Sequence, residues 1–192
     1  KKAFFIKGDI KNFNFLKKII KGFEIHTIIH LAAFLNISES ERKKKTYFKN
    51  NILGTKNLIL ACKNSQVRNF IFSSSCSIYG DQKSFVNEQT KIKPKSYYAY
   101  TKHMSEKIIK KFSRKYNISY GIFRYFNVAG ADTSGKIGEI NSSHGHLIKN
   151  ISVQSLKKKP IIKIYGNNYP TRDGTPVRDY IHISDLVDIH KK

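Results

Sequence analysis

The chain has 192 residues, of which 40% are apolar, a formal net charge of +23 and two cysteines. That length suits one domain, or one domain with part of another, and the apolar share is enough for a core, which excludes a disordered chain. No apolar run approaches the ~20 residues of a membrane-spanning helix, and Cys62 and Cys76 form neither a disulfide framework nor a CxxC pair, so reduced thiols in a cytoplasmic setting are expected.

Strand and helix patterns alternate along the first two thirds of the chain. Residues 3–6 read as a strand that starts almost at the first residue, an unusual place for a buried run; the sequence therefore reads as a piece of something longer. Residues 12–21 form a short amphipathic pattern and residues 27–32 an apolar run of strand length. Over 46–64, Tyr47, Phe48, Ile52, Leu58, Ile59 and Cys62 recur at helical spacing. A strand is predicted at 69–72. A helix follows at 98–116, with Met104, Ile108, Ile109 and Phe112 on one face, then a strand at 119–125. Short apolar strands between helices predict a parallel sheet covered on both faces. That is a doubly wound, Rossmann-like α/β fold, with ligands at the carboxyl ends of the strands.

Beyond Tyr125 the pattern loosens. Residues 128–145 hold four glycines and read as loop. Residues 146–158 read as helix, 161–165 as a strand after Pro160, and 166–178 as a second loop. Ser184 and Asp185 are placed to cap a last helix. The division expected is a Rossmann-like domain over 1–127 and a smaller part over 128–192.

The lysines fall in runs spread along the chain, Lys43–Lys45, Lys110-Lys111 and Lys157–Lys159 among them. Each run lies on or beside a predicted helix, as solvated faces do. Lys, Ile, Asn and Phe are all abundant, which a drift toward A- and T-rich codons produces without a polyanion partner. Neither a nucleic-acid nor a membrane partner is expected. His144, His146, His182 and His190 match no common zinc-ligand spacing, and no metal is expected. Phe4, Phe5, Phe13 and Phe15 read as core, His182 as a packed residue, and Asp179 and Asp185 as partners of surface lysines.

Two fragments carry proton chemistry. Tyr98 and Lys102 stand four residues apart, on one face of a helix. A neighbouring ammonium is expected to lower the phenol pKa from its free value of about 10, toward a useful range for acid–base work. Ser75 ends Ser73-Ser74-Ser75 after a core strand, where its hydroxyl can orient or relay a proton. A YxxxK pair alone arises by chance on many basic helices; the preceding strand and serines lift it above that. A third fragment, Gly174 to His182, sets Arg178 in a Gly-containing loop suited to clamping an anion.

These segments resemble the extended short-chain dehydrogenase/reductase family, and within it the UDP-glucose 4-epimerase branch. The matching pieces are residues 29–33, 51–55, 72–81, 98–102, 124–131 and 165–182, and the resemblance covers essentially the whole chain. The 165–182 stretch is the most specific of them. The resemblance implies interconversion of UDP-glucose and UDP-galactose, through transient hydride transfer to bound NAD and a 4-keto intermediate. It makes Ser75, Tyr98 and Lys102 catalytic. It places Asp9 and Ile10 at the adenine end of NAD, Leu31, Ala32, Ala33 and Asn51 along the dinucleotide, and Tyr125 with Tyr98 and Lys102 at the nicotinamide half. It assigns Asn127 and Arg178 to the sugar diphosphate, His146 and Leu147 to the nucleotide border, and Tyr165 to uracil. Relatives pair as homodimers through the helices here at 46–64 and 98–116, where Lys110, Lys111 and Lys115 would repel.

The chain departs from the family in three places. It has no GxGxxG or GxxGxxG, the glycine loop that receives the pyrophosphate. It stops before the substrate part is complete. Leu35 stands where many relatives carry a polar or basic residue. The expectation is a fragment that alone binds NAD poorly and turns over little. The alternatives are a related NAD-dependent sugar-nucleotide epimerase or dehydratase, disfavoured by Ser75-Cys76-Ser77, and a non-catalytic basic binding module.

Overall fold

Asn12 opens the first helix by accepting a hydrogen bond from the Phe15 amide at 3.0 Å, a side-chain N-cap. In this computed structural model, which describes residues 3–82, 84–140, 146–164 and 166–191, the chain forms two compact units, Lys1–Tyr125 and Phe126–Lys192.

The first unit is built on three parallel strands, β1 Thr27–His30, β2 Asn69–Ser75 and β3 Ser119–Tyr125, in the order β1-β2-β3. The register sets Ile28 beside Phe70, Ser74 beside Arg124 and Ser75 beside Tyr125. The helices are α1 Phe13–Gly22, the short α2 Ile37–Arg42 and α3 Lys44–Tyr47, then α4 Gly54–Ala61 and α5 Tyr97–Tyr116. A π-helical segment, Phe48–Leu53, joins α3 to α4. Ile20 of α1, Leu58 and Ile59 of α4 and Ile109 of α5 pack with Ile28, Phe70 and Phe72 into the core. The opposite sheet face carries Ile29, 49% exposed. The sheet is parallel and Rossmann-like as expected, and the helices of this unit cover one of its faces.

Several elements differ from expectation. Residues 3–6 form no strand, and Phe4 and Phe5 are 86% and 91% exposed. A strand needs a neighbour for its amides, and these residues pair with none of the described strands. Of the four phenylalanines expected in the core only Phe15 is half-buried. β1 stops at His30, two residues short of the expected run, and four residues on Asn51 takes both the N–H and the C=O of Phe34. α2 went unpredicted although Asn36 caps it through the Glu39 amide at 2.9 Å. β2 runs on through the serines, since the ladder to β3 continues to Ser75.

β2 ends in a 3₁₀ turn, Cys76–Tyr79, capped by Ser75 and closed by Gly80 at φ +67°. A side chain there would strike the Lys93 carbonyl at 2.2 Å, so the turn requires glycine.

The second unit pairs β4 Asn127–Ala129 with β5 Tyr180–His182 in parallel and adds α6 Leu147–Ser155 and α7 Ile183–Lys191. Neither strand was expected. Residues 161–164 are not a strand, and their isoleucines are exposed. α7 starts at Ile183, so Ser184 and Asp185 lie inside its first turn; the Ser184 amide is taken by the His182 ring nitrogen Nδ1 at 3.2 Å.

Candidate active site

The start of α5 is held from outside. The free amides of a first helical turn need partners, and here three side chains provide them. Glu41 accepts from the Tyr97 amide at 2.6 Å, Ser40 from Tyr98 at 3.0 Å and Ser96 from Ala99 at 3.1 Å. α2 thus anchors the turn that carries Tyr98. Ser40 and Glu41 lie far off in sequence, on the helix α2 that the sequence pattern did not mark.

Tyr98, Lys102 and Ser75 come together. Tyr98 is 8% and Lys102 2% exposed. The Lys102 ammonium donates to the Ser73 carbonyl at 2.6 Å, 4.9 Å from the Phe72 ring centroid and 5.9 Å from that of Tyr98. The Ser75 hydroxyl stands close enough to the Tyr98 phenol to act on its pKa. Ser75 Oγ also meets Ser77 Oγ at 2.9 Å and accepts from the Ser77 amide at 3.2 Å.

The electrostatics correct the expectation of an acidified phenol. Burial raises the Tyr98 pKa, the nearby Ser75 hydroxyl opposes the rise, and the Cys76 thiol adds to it. Lys102 is turned to a carbonyl, and burial pushes its own pKa down to about 8. Two charged forms, a phenolate and an ammonium, are both disfavoured by the same desolvation.

A second polar cluster lies beneath this one. Ser74 Oγ donates to Glu106 Oε1 at 2.5 Å. Arg124 from β3 donates through Nε to Glu106 Oε1 at 3.1 Å and through Nη2 to Oε2 at 2.9 Å, and its Nη1 reaches the Tyr79 hydroxyl at 2.8 Å and the Glu88 carbonyl at 3.2 Å. Glu106 is 2% exposed. Its carboxylate raises the Arg124 pKa above the usual value. Sequence reasoning passed over Glu106, although it stands on the Tyr98–Lys102 face one turn further on.

At the β1 end, Leu31 and Ala32 are exposed and Ala33 is half-buried. Asn51 is buried: its side chain holds Phe34 and donates to Thr101 Oγ1 at 3.1 Å, while its carbonyl accepts from Thr55 and Ser105 hydroxyls. It braces the loop to α5. His30 lies under this loop, its Nε2 2.8 Å from Thr55 Oγ1. Burial, aided by the Lys102 charge, pushes its pKa down to about 3. Asp9 accepts from the Lys11 amide at 2.8 Å, which lowers its pKa. Ile10 lies against Gly54, where a Cβ would meet Ile10 Cδ1 at 2.5 Å. Tyr125 is half-buried, stacked with Phe123 at 6.1 Å. A surface cavity of about 370 Å³ is lined by Lys11, Lys49, Leu53, Lys56, Asn57 and Leu60, and by none of the expected site residues.

In the second unit, the Asn127 side chain donates to the Asp179 carbonyl at 2.8 Å, beside β5. Arg178 is exposed, its guanidinium on the Val177 carbonyl. His146 caps α6 and pairs with Glu139 at 2.8 Å; Leu147 is half exposed. Tyr165 and His144 lie outside the described residues. Among the described residues no group of three or more His, Cys, Asp or Glu is placed to hold a metal, and no helix is long and apolar enough to cross a membrane.

A parallel sheet whose strand-end serine meets a Tyr–Lys pair one helical turn apart defines a short-chain dehydrogenase/reductase. The chain belongs to the NAD dependent epimerase/dehydratase family, whose sequence pattern matches residues 1–192. It is 38% identical over 190 residues to the UDP-glucose 4-epimerase of Lactobacillus helveticus, covering 98% of this chain and 58% of that one. It is 39% identical over 196 residues to the same-named protein of Haemophilus influenzae, covering 100% and 58%. The crystal structure of UDP-glucose 4-epimerase from Brucella ovis in complex with NAD superposes with a TM-score of 0.89 at 34% identity, over 97% of this chain and 58% of that one. The Bifidobacterium longum enzyme in complex with NAD⁺ and UDP gives 0.86 at 31% identity, over 97% and 57%. The chain thus spans somewhat over half the length of these relatives.

Proposed function

We propose that this chain carries the catalytic half of an NAD-dependent UDP-glucose 4-epimerase, interconverting UDP-glucose and UDP-galactose. The observation that carries the reading is the buried Tyr98–Lys102 pair on one face of α5, at the Ser75 end of β2.

The residues present fit the nicotinamide half of a dinucleotide. The Lys102 ammonium suits a ribose diol, and the exposed Leu31 and Ala32 leave backbone open past the β1 end. Asp9, kept ionised by the Lys11 amide, and Ile10 suit the adenine end. Oxidised NAD, when bound, would supply a reversible hydrogen acceptor at sugar carbon 4 and a positive charge beside the phenol.

The chain's own groups do the rest. Tyr98, ionised to phenolate by the positive charge that bound NAD would bring beside it, takes the proton of the sugar 4-hydroxyl at its phenol oxygen and later returns it. Ser75 orients that hydroxyl and shares its proton. Lys102 fixes the ribose, and Tyr125 packs at the nicotinamide. Asn51 acts by holding the 31–34 loop. Asn127 and Arg178 hold the diphosphate, His146 and Leu147 border the nucleotide, and Tyr165 flanks uracil. A homodimer through α4 and α5 and a cytoplasmic setting complete the reading.

The test is a UDP-galactose conversion assay on the protein made from its complete reading frame, beside the 192-residue chain. The complete protein is expected to release NAD on denaturation and to convert the sugar; the 192-residue chain is expected to bind NAD weakly and convert little. A folded complete protein that converts no UDP-hexose with NAD supplied overturns the proposal.

A further inference from the structure

Three side chains at successive turns of α5 address three consecutive serines at the end of β2. Tyr98 lies close to Ser75, whose hydroxyl lowers its pKa, Lys102 bonds the Ser73 carbonyl and Glu106 bonds Ser74 Oγ. The first two contacts belong to the catalytic reading; the third does not. Glu106 lies four residues beyond Lys102, fully inside, and touches no surface a substrate would reach. Its other oxygen is taken by Arg124, which stands directly beside Ser74 in the sheet register. Arg124 in turn ties Tyr79 and Glu88, the turn and loop after Ser75.

We propose that Glu106 is a positioning residue: bridging Ser74 and Arg124, it fixes the end of β2 so that the neighbouring Ser75 hydroxyl meets the Tyr98 phenol. The inference rests on the catalytic reading of Ser75 and Tyr98. A serine in an extended strand alternates faces with its neighbour, so clamping Ser74 from the α5 side dictates where Ser75 points. Arg124 keeps the carboxylate aimed, because a bidentate pair fixes orientation. The groups facing the Tyr98 phenol are Ser75 from β2, Cys76 from the turn after it, Lys102 on its own helix and Tyr47 from α3, with Glu41 of α2 on the adjacent amide.

Two variants separate the two legs. Ser74→Ala removes the serine leg and leaves the Glu106–Arg124 pair whole; Glu106→Gln weakens both. In the complete-frame protein, Ser74→Ala is expected to lower kcat by about 10- to 100-fold, the scale of a sub-ångström to ångström misplacement, with KM for the UDP-sugar within about 2-fold. Ser74→Thr, which keeps the hydroxyl, restores kcat. An unchanged kcat in Ser74→Ala overturns the proposal. The second readout needs no activity. In the 192-residue chain labelled with ¹³Cζ-tyrosine, the Tyr98 signal, assigned by its loss in Tyr98→Phe, is titrated. Loosening Ser75 moves away the hydroxyl that holds the phenol pKa down, so the midpoint rises in Ser74→Ala and in Glu106→Gln. A midpoint unmoved in both overturns the proposal even if the protein proves to be no epimerase; a wild type without activity but with the shifted midpoint sinks only the functional reading.

Discussion

The Lys102 ammonium donates to the Ser73 carbonyl at 2.6 Å, so the one buried lysine of the site is bound to the strand rather than to the phenol it was expected to acidify. Its pKa falls to about 8 from the ordinary 10.5 through burial.

That depression predicts opposite effects on stability and activity. The unfolded chain binds the Lys102 proton up to pH 10.5, the folded one only to about 8. Stability from this group is therefore present above 10.5 and lost as pH falls to 8. At pH 7 the buried cation costs ~3 kcal/mol. Lys102→Met gives up the Ser73 bond but sheds that cost, so unfolding of the 192-residue chain by urea at pH 7 is expected to be unchanged or ~1–2 kcal/mol harder. In the complete-frame protein the same change lowers kcat at least ~100-fold. A clear loss of stability would show that the ammonium is not desolvated.

Tyr98→Phe removes one oxygen, near the Ser75 hydroxyl that lowers its pKa. The stability cost is expected at ~1 kcal/mol or less, measured by thermal unfolding. Activity of the complete-frame protein falls ~10²- to 10⁴-fold. Retained activity would move the proton work to another group.

That Tyr98, Lys102 and Ser75 lie near one another was legible because the spacing is local: Tyr98 and Lys102 share a face by helix geometry alone, and Ser75 closes an apolar run. The supports were not legible. Ser40, Glu41 and Asn51 act on α5 and on the Phe34 backbone from more than a dozen residues away, and no local pattern encodes such a partner. The sign of the Tyr98 shift was misread for the same reason: charge proximity shows in sequence, and desolvation does not. The parallel sheet followed from alternating patterns, whereas β4 and β5 are three residues each, too short for periodicity to mark. Residues 3–6 had a strand's composition but pair with none of the described strands.

Acid sensitivity is expected to centre on His30. Its folded pKa is about 3 against 6.5 when unfolded. The unfolded state gains a proton below 6.5 that the folded state refuses, so stability is full above 6.5 and falls progressively down to about 3. The loss amounts to at most ~4–5 kcal/mol, a large share of a domain's ~5–15 kcal/mol. His30→Gln keeps a partner for Thr55 and cannot titrate. Urea midpoints between pH 7 and 4 are expected to fall less in the variant. Parallel slopes would assign the acid loss to carboxylates instead.

The Glu106–Arg124 pair, with side chains 2% and 12% exposed, makes the last prediction one of asymmetry. Desolvating both ions costs free energy that their attraction and the Ser74, Tyr79 and Glu88 bonds offset. Removing one partner strands the other. Glu106→Ala leaves Arg124 buried without its anion and Ser74 without its acceptor, and is expected to cost ~3–5 kcal/mol in urea unfolding of the 192-residue chain. Replacing both with apolar residues, Glu106→Leu with Arg124→Leu, removes the stranded charge and is expected to recover most of that loss, the coupling in the double-mutant cycle exceeding ~2 kcal/mol. The recovered chain has lost the grip on Ser74, so in the complete-frame protein its kcat stays low. A double variant as unstable as Glu106→Ala would mean that packing, rather than charge, holds this corner of the sheet.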